Sequence, residues 1–98
     1  MEIKINHGET MVITLKGRLD TVTSAEFSNA LKQEKIEENL VIIDFTDVEY
    51  ISSAGLRVLL ALKYELEEQG KMLEIHNINA VVREIFKVTG FINALTVK

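Results

Sequence analysis

The sequence predicts a small α/β domain in which helices cover a mixed β-sheet, built from an N-terminal hairpin and parallel strands. Segments whose apolar residues alternate, or form short β-branched runs, are separated by segments with helical spacing. Their order is β-β-α-β-α-β-α-(β), and strands joined through helices of this length run parallel with right-handed crossovers. The 98 residues are expected to form one domain, because a chain of this length builds a single core.

The N-terminal third predicts the hairpin and the first helix. Two alternating stretches, residues 3–5 and 11–15, flank a turn at residues 7–9. The first helix is expected from Ser24 to Lys35 with Thr23 as its N-cap, since Glu26 three residues later completes a capping box. Val22 is positioned to pack on Phe27 as a hydrophobic staple.

The rest of the chain continues the alternation of strands and helices. Residues 40–43 are a continuous apolar run, which is typical of a central strand covered on both faces. A second helix follows, with Gly70 just beyond its end and one apolar face: Val58, Leu59, Leu62 and Leu66. The C-terminal part predicts a strand, a helix with Asn79 as N-cap and Gly90 as its stop, and a short last element: residues 72–75, 79–90 and 91–97.

Composition and charge argue against several classes of function. The net charge is −4 and Lys and Arg are not clustered, so direct nucleic-acid binding is not expected. Cys is absent, and His7 and His76 are isolated residues, so no metal site is expected. No Gly-rich phosphate loop occurs, and we expect no cofactor. Apolar and charged residues alternate at the N-terminus, unlike a signal peptide or membrane span, and we expect a cytoplasmic protein without membrane insertion.

Loops that follow the strands are the expected place for a functional site, because ligands and partners of such sheets bind beyond the carboxyl ends of the strands. Three loops are expected to meet there: residues 17–21, 47–53 and 76–77. The middle loop contains Ser52 and Ser53, directly before an apolar helix. A helix start presents unpaired N–H groups and a partial positive charge, and it therefore favours an anion such as a phosphate.

The two serines have both structural and functional interpretations. Ser52 is the predicted N-cap, with Ile51 and Leu56 forming a hydrophobic staple around it. From local sequence alone, a purely structural role for both serines is favoured, because serine is common at strand-to-helix turns. However, only one side chain can cap the helix. Ser53 then falls in the first turn without a structural task, and its hydroxyl is expected to face solvent.

An esterase is the competing enzyme class, because a serine at a strand-to-helix turn also occurs in hydrolases. The nucleophile elbow requires Gly two residues before and two residues after the serine. For Ser53 only Gly55 satisfies this requirement, since Ile51 occupies the other position. We therefore predict that the chain is not an enzyme.

Two short motifs carry a resemblance to a known family. They are Gly17-Arg18-Leu19-Asp20 before the first helix and Tyr50-Ile51-Ser52-Ser53-Ala54-Gly55-Leu56 before the second. Their order and spacing resemble those of the bacterial anti-sigma factor antagonists of the STAS domain family. The resemblance implies that the unphosphorylated chain binds an anti-sigma factor that is also a serine kinase, which releases the sigma factor. Phosphorylation by that kinase would end binding, and a phosphatase would restore it.

The resemblance places the modified residue at Ser53, because the target serine of the family precedes one small residue and Gly-Leu. Ser52 is the rival, since it stands where the family often has Asp, and Ala54 stands where Ser or Thr is common. The alternative function is that of a STAS scaffold subunit that is not phosphorylated and docks on a transporter or a larger regulatory complex.

A partner-binding surface is predicted around Ser53. The family pattern implies a role for Asp20, although this carboxylate could instead cap residues 21–23. Helical spacing from Ser53 adds a stripe down the second helix, although Leu60 and Ala61 could instead pack under a neighbouring helix. The predicted contact residues are Asp20, Thr21, Ser52, Ala54, Gly55, Arg57, Leu60, Ala61 and Tyr64.

Overall fold

Five strands form one sheet in the order β1-β2-β3-β4-β5 in the computed structural model, which describes residues 1–98. The strands are β1 (Glu2–Asn6), β2 (Met11–Leu19), β3 (Leu40–Ile51), β4 (Met72–His76) and β5 (Thr96–Val97). The helices are α1 (Thr21–Lys32), α2 (Ser53–Glu68), α3 (Ala80–Thr89) and α4 (Phe91–Ala94). Strands β1 and β2 are antiparallel and all other pairs are parallel, which confirms the predicted α/β fold.

The helices cover only one face of the sheet. Sequential strand order combined with right-handed crossovers places every connecting helix on the same side. Along β2 and along the first half of β3, buried side chains alternate with partly exposed ones, and the buried ones join the helices in a single core cluster. The prediction that β3 is covered on both faces is therefore wrong, because Leu40 and Ile42 lie on the uncovered face and are only half-buried. Its central position in the sheet is confirmed.

Strand β3 is much longer than predicted and reaches the site. It pairs with β2 as far as Leu19 opposite Ile51, so residues 47–51 are strand and not loop. A register shift between Asp44 and Asp47 interrupts the two-residue alternation and conceals this continuation in the sequence. Burial of Val48 and Ile51 in the core explains why the chain stays extended there.

Helix α1 begins earlier than predicted. Asp20, not Thr23, is its N-cap: the Asp20 carboxylate accepts a hydrogen bond from the Thr23 N–H, and the Thr23 hydroxyl accepts one from the Asp20 N–H. The predicted staple is also wrong, because Val22 is 69% exposed while Phe27 is buried. The helix ends at Lys32 and not at Lys35.

The predicted ends of the other two long helices are confirmed. Ser52 caps α2, and Asn79 caps α3 by accepting a hydrogen bond from the Val82 N–H at 2.8 Å. Gly70 and Gly90 adopt positive φ of 72° and 80° just beyond the helix ends, where a side chain would be strained. On α2, Leu56 lies in the core, whereas Val58 is half-buried. No helix combines the length and the hydropathy that crossing a membrane requires.

Candidate functional site

Two of the three predicted loops meet at the carboxyl edge of the sheet. The Ser52 N–H donates a hydrogen bond of 2.8 Å to the Leu19 carbonyl oxygen. This bond extends the β2–β3 pairing by one step and places the turn before α1 beside the turn before α2. The caps of the two helices, Asp20 and Ser52, therefore lie side by side at one end of the molecule.

The third loop does not join them, and this part of the prediction is wrong. Strand β4 ends with His76 opposite Asp44, whereas β3 continues to Ile51. The register shifts place the seven further residues of β3 (51 − 44) opposite only five of β2 (19 − 14), so β3 ends about 17 Å beyond that point, at roughly 3.3 Å per residue. Asn77 instead donates a hydrogen bond to the Asp44 carboxylate at 3.2 Å, near the middle of β3 and away from the Ser53 turn.

The turn before α2 separates the two serines. The Ser52 hydroxyl oxygen accepts a hydrogen bond from the Gly55 N–H at 3.3 Å, and the residue is half-buried. Ser53 is the first residue of α2, is exposed, and takes no part in the cap. Its hydroxyl lies near the positive end of a 16-residue helix, where a negative charge is stabilised.

Asp20 is held in place by its own capping box. The Thr23 N–H donates to the carboxylate, and the guanidinium of Arg18 adds an attraction, so the pKa of Asp20 lies below its usual value. The Thr23 hydroxyl in turn donates to the Arg18 carbonyl oxygen. The carboxylate is only half-buried, so the capping role that the sequence left open does not prevent it from meeting a partner.

Gly55 lies beneath the turn and not on its surface. A Cβ atom at this position would lie 2.7 Å from Ile51 Cγ1 and 3.1 Å from Leu19 Cβ, and the residue is buried. Direct contact with a partner is therefore not available to it. Its absent side chain instead allows the first turn of α2 to approach the ends of β2 and β3 closely, which sets the position of Ser53.

The predicted stripe on α2 divides into two surfaces. Arg57 and Ala61 are exposed and line a groove against α1. Leu60 is half-buried and Tyr64 is 53% exposed, and neither lines that groove. Of the remaining predicted residues, Thr21 is exposed and Ala54 is half-buried.

Sequence reasoning missed Arg18 as a surface feature of this edge. Its guanidinium lies 4.6 Å from the centre of the Tyr50 ring, a cation–π contact on the uncovered face of the sheet. Arg18 is opposite Tyr50 in the β2–β3 register, two residues before Asp20. This pairing could have been found only by extending β3 through Tyr50. The structure contains no group of three His, Cys, Asp or Glu residues arranged to hold a metal.

Comparisons with known proteins agree with the fold described above. The family model described as "Mlab, STAS domain" matches residues 5–96. A protein of Listeria monocytogenes serovar 1/2a named anti-sigma-B factor antagonist is 26% identical over 99 residues, covering 100% of this chain and 87% of that protein. An anti-sigma factor antagonist from Mycobacterium paratuberculosis has a similar structure, with a TM-score of 0.84 at 20% identity, covering 98% of this chain and 83% of that one. The Bacillus cell fate determinant SpoIIAA, in its phosphorylated form, has a TM-score of 0.73 at 20% identity, covering 99% and 91%.

Proposed function

This chain belongs to the STAS domain family, and we propose that it is an anti-sigma factor antagonist whose binding is switched off by phosphorylation of Ser53. The Listeria relative carries the name of such an antagonist, and the similar SpoIIAA structure is of a phosphorylated form, which supports the proposal. In this function the unphosphorylated chain binds an anti-sigma factor that is also a serine kinase, and the sigma factor is released. The setting is the cytoplasm, where sigma factors act.

The observation that carries the proposal is that Ser52 caps helix α2 whereas Ser53 has no structural hydrogen bond. Ser52 holds the helix cap through the Gly55 N–H, so modifying Ser52 would remove a structural hydrogen bond. Ser53 is exposed and has no such bond to lose. A kinase could therefore add a phosphate to Ser53 without disturbing the fold.

The charge added by the phosphate is large enough for an off-switch. Phosphoserine carries about −1.5 to −2 charges, which the positive end of α2 tolerates in the free protein. A partner surface fitted to a small neutral hydroxyl would instead meet a bulky dianion. An unpaired like charge at an interface costs several kcal/mol, or about three powers of ten in affinity. The phosphoryl transfer belongs to the kinase, and a phosphatase acting on phospho-Ser53 restores binding, so this chain needs no catalytic activity of its own.

The test is phosphorylation and binding with candidate anti-sigma kinases encoded in the same genome. We expect ATP and the cognate kinase to add one phosphate, located on Ser53 by mass spectrometry. Ser53→Ala should keep binding the kinase in the presence of ATP, whereas Ser53→Asp should bind at least about a hundredfold more weakly. Thr96→Ala, at an exposed hydroxyl residue of β5, is a matched control that should be phosphorylated normally.

Two outcomes would contradict the proposal. Phosphate located on Ser52 would assign the switch to the rival serine. Stable binding to a transporter subunit or a larger regulatory complex, with no phosphorylation by any candidate kinase, would favour the scaffold alternative, which uses the same fold without the chemistry at Ser53.

A further inference from the structure

Helices α1 and α2 leave an apolar groove between them on the surface of the helical layer. Its volume is about 430 Å³, and five of the eleven lining residues are hydrophobic. The apolar floor consists of Leu31, Ile36, Val58, Ala61 and Leu62. Leu31, Ile36 and Val58 are only half-buried, so the free protein leaves apolar surface here that a partner could cover.

The groove has the length and direction of a helix-binding site. Both helices start at the carboxyl edge of the sheet and run away from it, with the groove extending along α2 from Arg57 to Gln69. Twelve residues of helix span about 18 Å, which is the length of about three turns of a bound helix. The polar residues stand on the rim and not around an enclosed cavity, so the groove lacks the convergent polar groups typical of a small-molecule site.

The rim of the groove carries an unpaired cation at the end nearest the Ser53 turn. Arg57 is the charged residue at the end nearest Ser53, close to the positive end of α2. Lys32, Glu34 and Glu65 lie at the far end, where α1 terminates and α2 reaches its last turns. Glu34 pairs there with His7, and the Lys71 ammonium donates to the Ile36 carbonyl oxygen, so that end carries charges of both signs. Arg57, Lys32 and Glu65 form no ion pair within the chain.

We infer that this groove binds an amphipathic helix of the protein partner, with acidic residues at its end next to Arg57. The inference rests on the proposed function for the identity of that partner. The helix places its apolar face on the floor of the groove, with anchors at helical spacing. It extends the interface from the Ser53 turn along α2 and onto α1.

Arg57 links the groove to the switch. It lies four residues after Ser53 on the same helix, within reach of a phosphate on that residue. A phosphate therefore competes with the carboxylates of the partner helix for the same guanidinium. Phosphorylation weakens binding in the groove as well as at the Ser53 turn.

The probe is a synthetic amphipathic peptide of about 14 residues with Leu at helical spacing, Glu at one end and Lys at the other. Its twin is identical except that Gln replaces each Glu, which removes the charge that faces Arg57. Both are titrated into the ¹⁵N-labelled full chain, and amide shifts are followed by NMR. We expect shifts centred on Val58, Ala61 and Leu31, and about tenfold tighter binding of the Glu peptide than of its Gln twin at low salt.

Variants separate the groove from the rest of the surface. Ala61→Arg should weaken peptide binding at least about tenfold, because it fills an exposed position on the floor. Val88→Arg is the matched control on α3, 74% exposed and outside the groove, and should bind like the wild type. Dispersed amide spectra of both variants would establish that they are folded.

The link to Ser53 is tested with protein in which Ser53 is replaced by phosphoserine during synthesis, so that no kinase is needed. Phosphoserine should weaken peptide binding about tenfold in the wild-type background and have no effect in the Arg57→Gln variant. Because the peptide assay is independent of the kinase, failure of the partner switch and failure of the groove give different results. Equal binding by the two peptides or unchanged binding by Ala61→Arg would overturn the inference. Amide shifts in the groove that depend on protein concentration in the absence of peptide would also overturn it, because they would show that a second copy is the occupant.

Discussion

Replacing Gly55 by Ala tests whether close packing under the Ser53 turn is needed for the fold. The added Cβ would lie 2.7 Å from Ile51 Cγ1, 3.1 Å from Leu19 Cβ and 3.2 Å from Ile51 Cδ1. Ile51 is a buried β-branched residue with few alternative rotamers, so it cannot move aside cheaply. Overpacking of this kind costs about 1–3 kcal/mol, and the better helix propensity of Ala returns about 1 kcal/mol. The difference is a net loss of roughly 0–2 kcal/mol in the free energy of unfolding, and the severe 2.7 Å approach places the expected value in the upper half of that range.

The assay is urea unfolding followed by circular dichroism, together with thermal melting. In a domain of this size a loss of 1 kcal/mol lowers Tm by about 4–8 °C. Gly8→Ala is the matched control, because its Cβ would meet only the Thr10 carbonyl oxygen at an ordinary 3.7 Å and Gly8 does not have a positive φ. We expect this control to be as stable as the wild type or slightly more stable.

The two Gly variants together decide the question. If Gly55→Ala unfolds at the same urea concentration as Gly8→Ala, then α2 can move away from β2 and β3 at no cost. The argument that Gly55 sets the position of Ser53 would then be refuted. Reduced stability of Gly55→Ala alone would support it.

Three further predictions concern stability. Both ring nitrogens of His7 lie 2.8 Å from carboxylate oxygens of Glu34 and Glu38, and these hydrogen bonds raise the pKa of His7. The stabilisation by His7 is therefore complete below about pH 6.5 and is lost as the pH rises through the raised pKa. The urea midpoint of His7→Gln, measured between about pH 5.5 and 8.5, should lack this decline, and an unchanged pH dependence would contradict the prediction. Ser24→Ala removes a buried hydroxyl without a hydrogen-bond partner and should stabilise the fold by about 1 kcal/mol in the same assay, whereas a loss of stability would indicate an unseen partner. Asp20→Asn keeps a capping oxygen for the Thr23 N–H and should melt close to the wild type, whereas Asp20→Ala should melt at a lower temperature; equal melting of both would show that the cap contributes nothing.

The sequence predicted helix ends well where the signal lies within a few residues. Ser52, Asn79, Gly70 and Gly90 act as predicted, because a cap needs only its own side chain or backbone and the next few N–H or C=O groups. The exception is α1, where the N-cap is Asp20 and not the predicted Thr23. Both residues are good N-caps, and the choice depended on where β2 ended, which the local pattern did not reveal.

The candidate site was predicted in part. The neighbouring positions of Asp20 and Ser53 follow from strand order, and the hydrogen bond from the Ser52 N–H to the Leu19 carbonyl oxygen holds the two turns together. The loop at 76–77 was wrongly included, because the register shift in β3 concealed the extra length of that strand. Gly55 was assigned to the surface, although burial depends on Leu19, far away in sequence.

By itself the sequence determined the α/β class, the N-caps of α2 and α3, and the separation of a capping Ser52 from a free Ser53, since these follow from periodicity and from hydrogen bonds between near neighbours. The tertiary structure alone decided that the helices cover one face of the sheet, that β3 extends to Ile51, and that α1 and α2 leave a groove joined to Ser53 through Arg57. These features depend on how segments distant along the chain pair and pack. The spacing of residues within one segment does not predict how that segment packs against others.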